Sequence, residues 1–195
     1  MITPRQEATV KAQKLSLFEL SCAAFKIDML ERVALERLAT LPSEILPIGG
    51  LYVGTSGGKD SVAVHHLMSK TDLTWSVLHT NKPEDVHPLT KDFLYRRQYP
   101  ILYIPKGAAM PAHLRTQFDG SRASEYNRAD GRSTDFIVGG VSVSRDKMPL
   151  YVTNGLFGLN FVFPMYDWSD EEVWAYIFRN NIEYSDEYLI PKDAA

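Results

Sequence analysis

The chain has 195 residues, of which 45% are hydrophobic, and a formal net charge of −3. This length and composition fit one globular domain, and the slightly acidic balance disfavours a general nucleic-acid binder, which usually needs a basic surface. The single cysteine, Cys22, excludes an intrachain disulfide and a cysteine-based zinc site.

The first part of the chain predicts a long helix. Residues 1–14 are polar and are expected to fray, whereas Leu15–Ala39 has apolar residues at helical spacing. The members of this apolar stripe are Phe18, Cys22, Phe25, Met29, Val33 and Leu38. Cys22 lies on the stripe, which favours a buried core residue over a nucleophile. We therefore expect residues 1–48 to form a helical segment that packs on a core formed by residues 49–195, within one domain overall.

From residue 51 onward, short apolar runs alternate with helical patterns. The apolar runs are Leu51–Gly54, Thr74–His79 and Ile101–Ile104, and the helical patterns between them are Asp60–Ser69 and Pro88–Gln98. Since the connections have helical length, the strands are expected to be parallel and joined by right-handed crossovers. This order predicts an α/β, Rossmann-like fold with a mainly parallel sheet flanked by helices.

Residues 106–134 are the least regular part of the chain, with a helical tendency near His113–Phe118. The arginines in this stretch fit a solvated loop better than a nucleic-acid surface: Arg115, Arg122, Arg128 and Arg132. A further strand is expected at Phe136–Gly140.

The C-terminal part predicts a hairpin followed by a helix. Asn154-Gly155 lies between β-prone residues in Tyr151–Met165, which is typical of a hairpin turn. Ser169 and Glu172 have capping-box spacing at the start of a helix that runs to about Asn180.

The most informative segment is Ser56-Gly57-Gly58-Lys59-Asp60-Ser61. It lies between a predicted strand and a predicted helix, where backbone N–H groups without partners and the helix macrodipole favour an anion. The glycines let the main chain approach a phosphate, Lys59 adds a cation, and Asp60 adds a carboxylate that can hold a metal ion or cap the helix. The spacing differs from a Walker A loop, because Gly54 is one residue too close to the Gly-Lys pair.

Other polar and aromatic residues have simpler explanations. His65 and His66 lie on the predicted helix, where packing or solvent explains them better than metal binding. Asp167, Trp168 and Trp174 are expected to hold the last helix against the sheet, because indole N–H groups need partners.

Together these segments resemble the phosphoadenosine phosphosulfate (PAPS) reductase family, whose relatives include the small subunit of ATP sulfurylase, within the PP-loop or N-type ATP pyrophosphatase group. Residues 56–61 are similar to the family's SGGKDS loop, and residues 78–84 to the segment after its second strand. Residues 164–177 resemble the pattern P-L-x-D-W-[ST]-x-x-D-V-W-x-Y-I, and Ile182-Glu183-Tyr184 resembles the I-P-Y that follows it.

The resemblance implies a bound adenine nucleotide, with Lys59 and Asp60 as catalytic residues and Mg²⁺ at Asp60. The nucleotide-binding residues that it implies are Ser56, Gly57, Gly58, Lys59, Asp60, Ser61, His79, Thr80, Asn81, Gly140 and Arg145. The loop is closer to that of ATP-using relatives, which implies cleavage between the α- and β-phosphates of ATP, adenylation of an unidentified acceptor and release of pyrophosphate.

Two departures from the family pattern keep alternatives open. Family reductases carry a cysteine near the C-terminus, and none follows Cys22 here. Ser142 stands where family members usually place an arginine, so Arg145 or Lys147 is the candidate anion ligand. The alternatives are a sulfonucleotide reductase that uses an external thiol and an inert nucleotide-binding module.

The sequence also predicts the cellular location of the protein and the kinds of partner it has. The chain starts without a charged-then-apolar leader and has no apolar run long enough to span a bilayer, so a cytoplasmic protein without a membrane partner is expected. A homo-oligomer is compatible with the sequence, and nucleic acid is disfavoured as a partner.

Overall fold

The computed structural model describes residues 2–46, 50–79, 86–97, 102–103, 113–122, 135–138, 141–144, 150–154 and 159–191. Their helices are α1 (Pro4–Ala12), α2 (Leu17–Ala39), α3 (Lys59–Met68), α4 (Pro88–Arg96), α5 (Asp170–Arg179) and a C-terminal 3-10 helix (Asp186–Leu189). Their strands are β1 (Leu51–Gly54), β2 (Ser76–His79), β3 (Leu102–Tyr103), β4 (Thr116–Phe118), β5 (Asp135–Val138), β6 (Val141–Ser144), β7 (Tyr151–Asn154) and β8 (Leu159–Val162).

The main sheet has the strand order β3-β2-β1-β4-β8-β7. Neighbouring strands from β3 to β8 are parallel. Among the described strands of this sheet, β7 alone pairs antiparallel, with β8, as the hairpin prediction requires. Helices α3 and α4 make the crossovers between β1, β2 and β3, as the alternating pattern predicts. The α/β, Rossmann-like fold class is therefore confirmed.

The irregular region contributes a central strand to this sheet. The helical tendency near His113–Phe118 is wrong, because Thr116–Phe118 form β4 between β1 and β8. Thr116 and Phe118 alternate with a less buried Gln117, and a period of two places both on the buried face of a strand. The strand expected at Phe136–Gly140 corresponds to β5, but it pairs antiparallel with β6 in a separate two-stranded sheet.

The N-terminal residues are ordered by polar contacts. The expectation that residues 1–14 fray is wrong, since α1 begins with a complete capping box formed by Thr3 and Gln6. The buried Thr9 hydroxyl lies 2.9 Å from the Tyr184 hydroxyl, and the Gln6 side-chain amide donates to the Phe178 carbonyl at 3.1 Å. These partners are far away in sequence, so hydrophobic periodicity could not reveal them.

The buried face of helix α2 agrees with the predicted stripe only at Leu38. Of the predicted stripe, Phe18 is 78% exposed, Phe25 92% and Met29 49%, and Cys22 is exposed as well. The buried side chains are Leu20, Ala23, Ile27, Ala34 and Leu38. The prediction of a buried Cys22 is therefore wrong: α2 packs chiefly on α5, and its small alanines allow close approach of the two helices.

The core joins the N-terminal helices to the sheet. Buried residues of α2, α3, β1 and α5 belong to one hydrophobic cluster, in which Trp168 and Trp174 are the largest buried side chains. The capping box predicted at Ser169 and Glu172 is present at the start of α5. Within the described ranges, no helix combines the length and the apolar character that crossing a bilayer would require.

We expect Ile27→Ala to lower the free energy of unfolding by about 2–4 kcal/mol, because it leaves a cavity in the hydrophobic core. Phe25→Ala, two residues earlier on the same helix, should change the free energy by no more than about 0.5 kcal/mol. Chemical denaturation of both variants measures the difference. A larger loss for Phe25→Ala than for Ile27→Ala would show that α2 packs through its predicted stripe instead.

Candidate functional site

The glycine-rich segment lies where open α/β sheets usually bind their ligands. Such ligands bind beyond the carboxyl ends of parallel strands, where the strand order reverses. In this sheet the order reverses at β1, which has β2 on one side and β4 on the other. Residues 55–58 connect β1 to α3 at this edge, and residues 119–122 follow β4 beside them.

Gly57 and Gly58 differ in how strictly the structure needs a glycine. Gly57 has φ +77°, and a Cβ atom there would lie 2.4 Å from Cγ2 of Thr90 on α4. Gly58 is the N-cap of α3 at φ −75° and provides no side-chain cap. A Cβ atom on Gly58 would lie 3.2 Å from the Tyr188 hydroxyl. The loop is thus pressed between α4 and the C-terminal 3-10 helix.

Hydroxyl groups surround the backbone amides of this loop. The Gly57 N–H donates to Oγ1 of Thr55 at 3.2 Å, and the Gly58 N–H donates to Oγ of Ser56 at 3.2 Å. The Lys59 N–H donates to the Tyr188 hydroxyl at 2.8 Å. The sequence predicts amides without partners, and the structure differs because three side-chain oxygens accept from them. An entering anion would meet hydroxyl groups as well as amides.

A cluster of four charged side chains lies behind the loop, with Lys59 and Arg122 buried and two carboxylates partly exposed. Lys59 is 7% exposed, and its Nζ lies 2.7 Å from Oδ2 of Asp60 and 3.2 Å from Oδ1 of Asp170. Arg122 is 0% exposed, and it contacts Asp60 through Nε at 2.8 Å and Asp170 through Nη2 at 2.7 Å. We call these four residues the charged cluster. The expectation that Arg122 lies in a solvated loop is wrong, because the turn after β4 directs it towards two carboxylates.

The cations of the cluster keep Asp170 ionised. Burial raises the pKa of this carboxyl, but the charges of Lys59 and Arg122 and their hydrogen bonds outweigh burial and lower its pKa to about 2. Lys59 therefore faces two carboxylates rather than solvent, and a bound anion would have to attract it away from them.

The described residues do not fit a magnesium ion at Asp60. One oxygen of its carboxylate contacts Lys59 and the other contacts Arg122, so neither is available to a metal ion unless an ion pair breaks. Asp60 is not the helix N-cap either, because Gly58 holds that position. Within the described parts of the chain, no group of three or more His, Cys, Asp or Glu side chains is arranged to hold a metal ion.

The remaining predicted site residues lie beside the loop or outside the described residues. His79 ends β2, next to β1, and the Thr55 N–H donates to the Leu78 carbonyl at 2.7 Å. Neither the side chain of His79 nor any part of Thr80, Asn81, Gly140 or Arg145 belongs to the described residues. The Ser61 hydroxyl donates to the Gly58 carbonyl at 2.8 Å, which closes the loop onto α3.

The two helix histidines have packing roles. The His65 ring packs edge-on against Trp75 at 4.7 Å between centroids, and burial together with nearby Arg97 and His66 lowers its pKa to about 4. Nδ1 of His66 lies 2.7 Å from the Tyr176 hydroxyl. Likewise, Asp167 pairs with both terminal nitrogens of Arg37 on α2, which agrees with the structural role expected for it.

Sequence reasoning missed Arg122, Asp170 and Tyr188 as members of this site. They come from the turn after β4, the first turn of α5 and the 3-10 helix, and they meet only because the sheet order brings these elements together. The capping-box spacing of Ser169 and Glu172 predicts a helix start there, but it does not indicate a cluster with Lys59.

Comparison with known proteins identifies relatives of this architecture. Residues 140–188 match the family model described as the phosphoadenosine phosphosulfate reductase domain. Two curated relatives, the adenosine 5′-phosphosulfate reductases of Neisseria meningitidis serogroups A and B, are each 38% identical over 47 residues. These alignments cover 24% of this chain and 19% of each relative, so the match spans about a fifth of the curated proteins.

A solved structure extends the likeness to most of the chain. The crystal structure of phosphoadenylyl-sulfate (PAPS) reductase from Candida auris, in a phosphate complex, superposes with a TM-score of 0.53 at 16% sequence identity. The superposition covers 83% of this chain and 88% of that chain. At this identity the likeness concerns the fold. With the matched segment, it confirms the resemblance to the PAPS reductase family that the motifs indicate.

We expect Gly57→Ala to destabilise the protein by about 1–3 kcal/mol or more, because alanine is strained at positive φ and its Cβ would clash with Thr90. Gly58→Ala should cost less than about 1 kcal/mol, since its φ suits any residue. Denaturation curves of both variants measure the contrast. Adding Thr90→Ser to Gly57→Ala should recover part of the loss by removing the clashing methyl group. Equal losses for the two single variants would contradict this assignment.

We expect Asp170→Asn to remove an acid-side dependence of stability. The pKa of Asp170 is lower in the folded chain than in the unfolded chain, so its contribution is complete above about pH 4 and is lost as the pH falls towards 2. The variant should lose about 3 kcal/mol at pH 7, because two buried cations lose a partner, and its stability should fall less steeply below pH 4. Urea denaturation between pH 2.5 and 7 measures both effects, and the exposed Asp28→Asn is the matched control. Parallel profiles for wild type and Asp170→Asn would contradict the prediction.

Proposed function

We propose that this relative of the PAPS reductase family binds an adenine sulfonucleotide, with the phosphosulfate end of the nucleotide at the loop formed by residues 55–61. The observation that supports the proposal is a pair of contacts to Lys59. The family-matched segment reaches the loop directly, because the Tyr188 hydroxyl accepts from the Lys59 N–H and Asp170 pairs with the Lys59 side chain. The loop and the matched segment therefore belong to one site.

The chemistry of the loop suits an anion of this type. The first turn of α3 presents the positive end of the helix dipole, and Lys59 adds a full positive charge close to it. Thr55, Ser56 and Tyr188 bring hydroxyl groups to the same place, and such groups can donate to phosphate or sulfate oxygens. The Candida auris enzyme was crystallised as a phosphate complex, which supports the same class of ligand here.

Reduction of a sulfonucleotide needs a thiolate that attacks the sulfur atom. Cys22 is exposed on α2, and no other cysteine occurs in these 195 residues. We propose that the attacking thiol comes from outside this sequence, from a further segment or a partner. As the new sulfur–sulfur bond forms, the bond from the sulfur to the 5′-phosphate oxygen breaks and the nucleotide leaves; the residues described here would orient the nucleotide and stabilise the charge on that phosphate.

The presence of Lys59 in the loop favours a second candidate, cleavage of ATP between its α- and β-phosphates with transfer of the adenylyl group to an acceptor. A buried cation at the start of α3 is suited to offset charge on departing pyrophosphate. This reaction requires positioning and charge neutralisation rather than a strong protein base.

We expect wild-type protein to bind adenosine 5′-phosphosulfate or its 3′-phosphorylated form in isothermal titration calorimetry. Lys59→Ala should weaken binding about tenfold, which corresponds to one charged contact of about 1.4 kcal/mol. The exposed Lys91→Ala, on α4, is the control and should bind as wild type does. Because Lys59 also pairs with two carboxylates, thermal denaturation must show that the variant is folded.

Product assays separate the two candidate reactions. Release of sulfite from a sulfonucleotide in the presence of thioredoxin or a small thiol supports the first, and release of pyrophosphate from ATP supports the second. Folded wild-type protein that binds none of these nucleotides at millimolar concentration would refute the proposed function.

A further inference from the structure

We propose that Tyr188 is a substrate-contacting residue whose phenol donates a hydrogen bond to a phosphate or sulfate oxygen of the nucleotide bound at the loop. The inference rests on the proposed function, because it assumes that the loop binds the charged end of a nucleotide. It adds a residue from the C-terminal 3-10 helix, a part of the chain in which the sequence predicts no site residue.

The position of the phenol oxygen is the first argument. It accepts from the Lys59 N–H at 2.8 Å, at the start of α3, where an anion would receive backbone hydrogen bonds. It also lies 3.2 Å from the place where a Cβ atom on Gly58 would be. A larger residue at Gly58 would press on this oxygen, so the glycine leaves room for the phenol as well as for a ligand.

The direction of hydrogen bonding is the second argument. Because the oxygen accepts from an amide, its own hydrogen is directed away from that amide and is available for donation. Burial raises the pKa of this phenol, and the nearby carboxylates of Asp60, Glu187 and Asp170 raise it further. The group therefore stays protonated at neutral pH. A hydroxyl that accepts one hydrogen bond is also polarised towards donating another.

The third argument is that the phenol is held in place before any ligand arrives. The Tyr188 ring packs edge-on against the buried Trp174 ring at 5.0 Å between centroids. The Gln13 side-chain amide donates to the Tyr188 carbonyl at 3.0 Å. Thr90 on α4 contacts the Ser185 hydroxyl and the Glu187 carboxylate, on either side of the start of the 3-10 helix. Such pre-organisation lowers the entropy that binding must overcome.

These three observations define a chain of donors that ends at the ligand. The Lys59 amide donates to the phenol, and the phenol donates to the anion, so the helix N-terminus acts on the anion partly through Tyr188. The residue is then a determinant of affinity for the charged end of the nucleotide, with no effect on recognition of adenosine itself.

Tyr188→Phe tests the inference, because it removes the hydroxyl and keeps the ring against Trp174. Tyr184→Phe is the matched control: Tyr184 lies in the same segment and packs on the same tryptophan, but its hydroxyl contacts Thr9 rather than the loop. Calorimetry with adenosine 5′-phosphosulfate, ATP and adenosine measures the binding of each variant. We expect Tyr188→Phe to weaken binding of the charged nucleotides about tenfold and to leave adenosine unchanged, whereas Tyr184→Phe changes each value less than about twofold.

The outcomes separate this inference from the proposed function. If wild type binds nucleotide and folded Tyr188→Phe binds it equally well or more tightly, the phenol only caps the Lys59 amide and the inference is overturned. If wild type binds no nucleotide, the proposed function itself fails. If Tyr188→Phe does not fold, ultraviolet difference spectra replace it as the test. We then expect nucleotide to perturb the tyrosine absorbance of wild type and of Tyr184→Phe equally. An unperturbed spectrum overturns the inference.

Discussion

The contact of buried Arg122 with two carboxylates holds the site together. One carboxylate, Asp60, belongs to the first turn of α3, and the other, Asp170, belongs to the first turn of α5. Arg122 itself follows β4, so a single guanidinium joins the elements on both sides of the point where the strand order reverses. Buried ion pairs add little net stability over an apolar alternative, but removal of one partner leaves an uncompensated charge in the interior. The cluster therefore fixes the geometry of the loop more than it stabilises the fold.

The charged cluster explains why the polar groups of the loop already have partners within the protein. Lys59 is drawn towards Asp60 and Asp170, and its backbone amide is capped by Tyr188 from the 3-10 helix. The loop amides that a phosphate would use already have hydroxyl acceptors, so a ligand has to share or replace those contacts. Binding energy at this site is consequently a difference between two sets of hydrogen bonds, and hydroxyl groups that can both accept and donate make the exchange easier.

The same arrangement bears on which chemistry the site can support. Both carboxylate oxygens of Asp60 contact cations, so the charge that faces an anion comes from the helix N-terminus and from Lys59, not from a metal ion on this carboxylate. A site of this kind suits positioning of a phosphate or phosphosulfate and stabilisation of a leaving group. The reacting thiol, or the acceptor of an adenylyl group, has to approach from outside the described elements.

Much of this organisation was accessible from the sequence, because it depends on local patterns. Strand and helix periodicity, the glycine-rich turn and the capping box at Ser169 each involve residues a few positions apart, and they determined the fold class, the place of the loop and the start of α5. The tertiary structure alone decided which face of α2 is buried, since the alanine-rich side fits α5 while Phe25 stays exposed. It alone brought Arg122, Asp170 and Tyr188 to Lys59, since these residues lie tens of positions or more apart and meet through strand order, which no short-range pattern encodes.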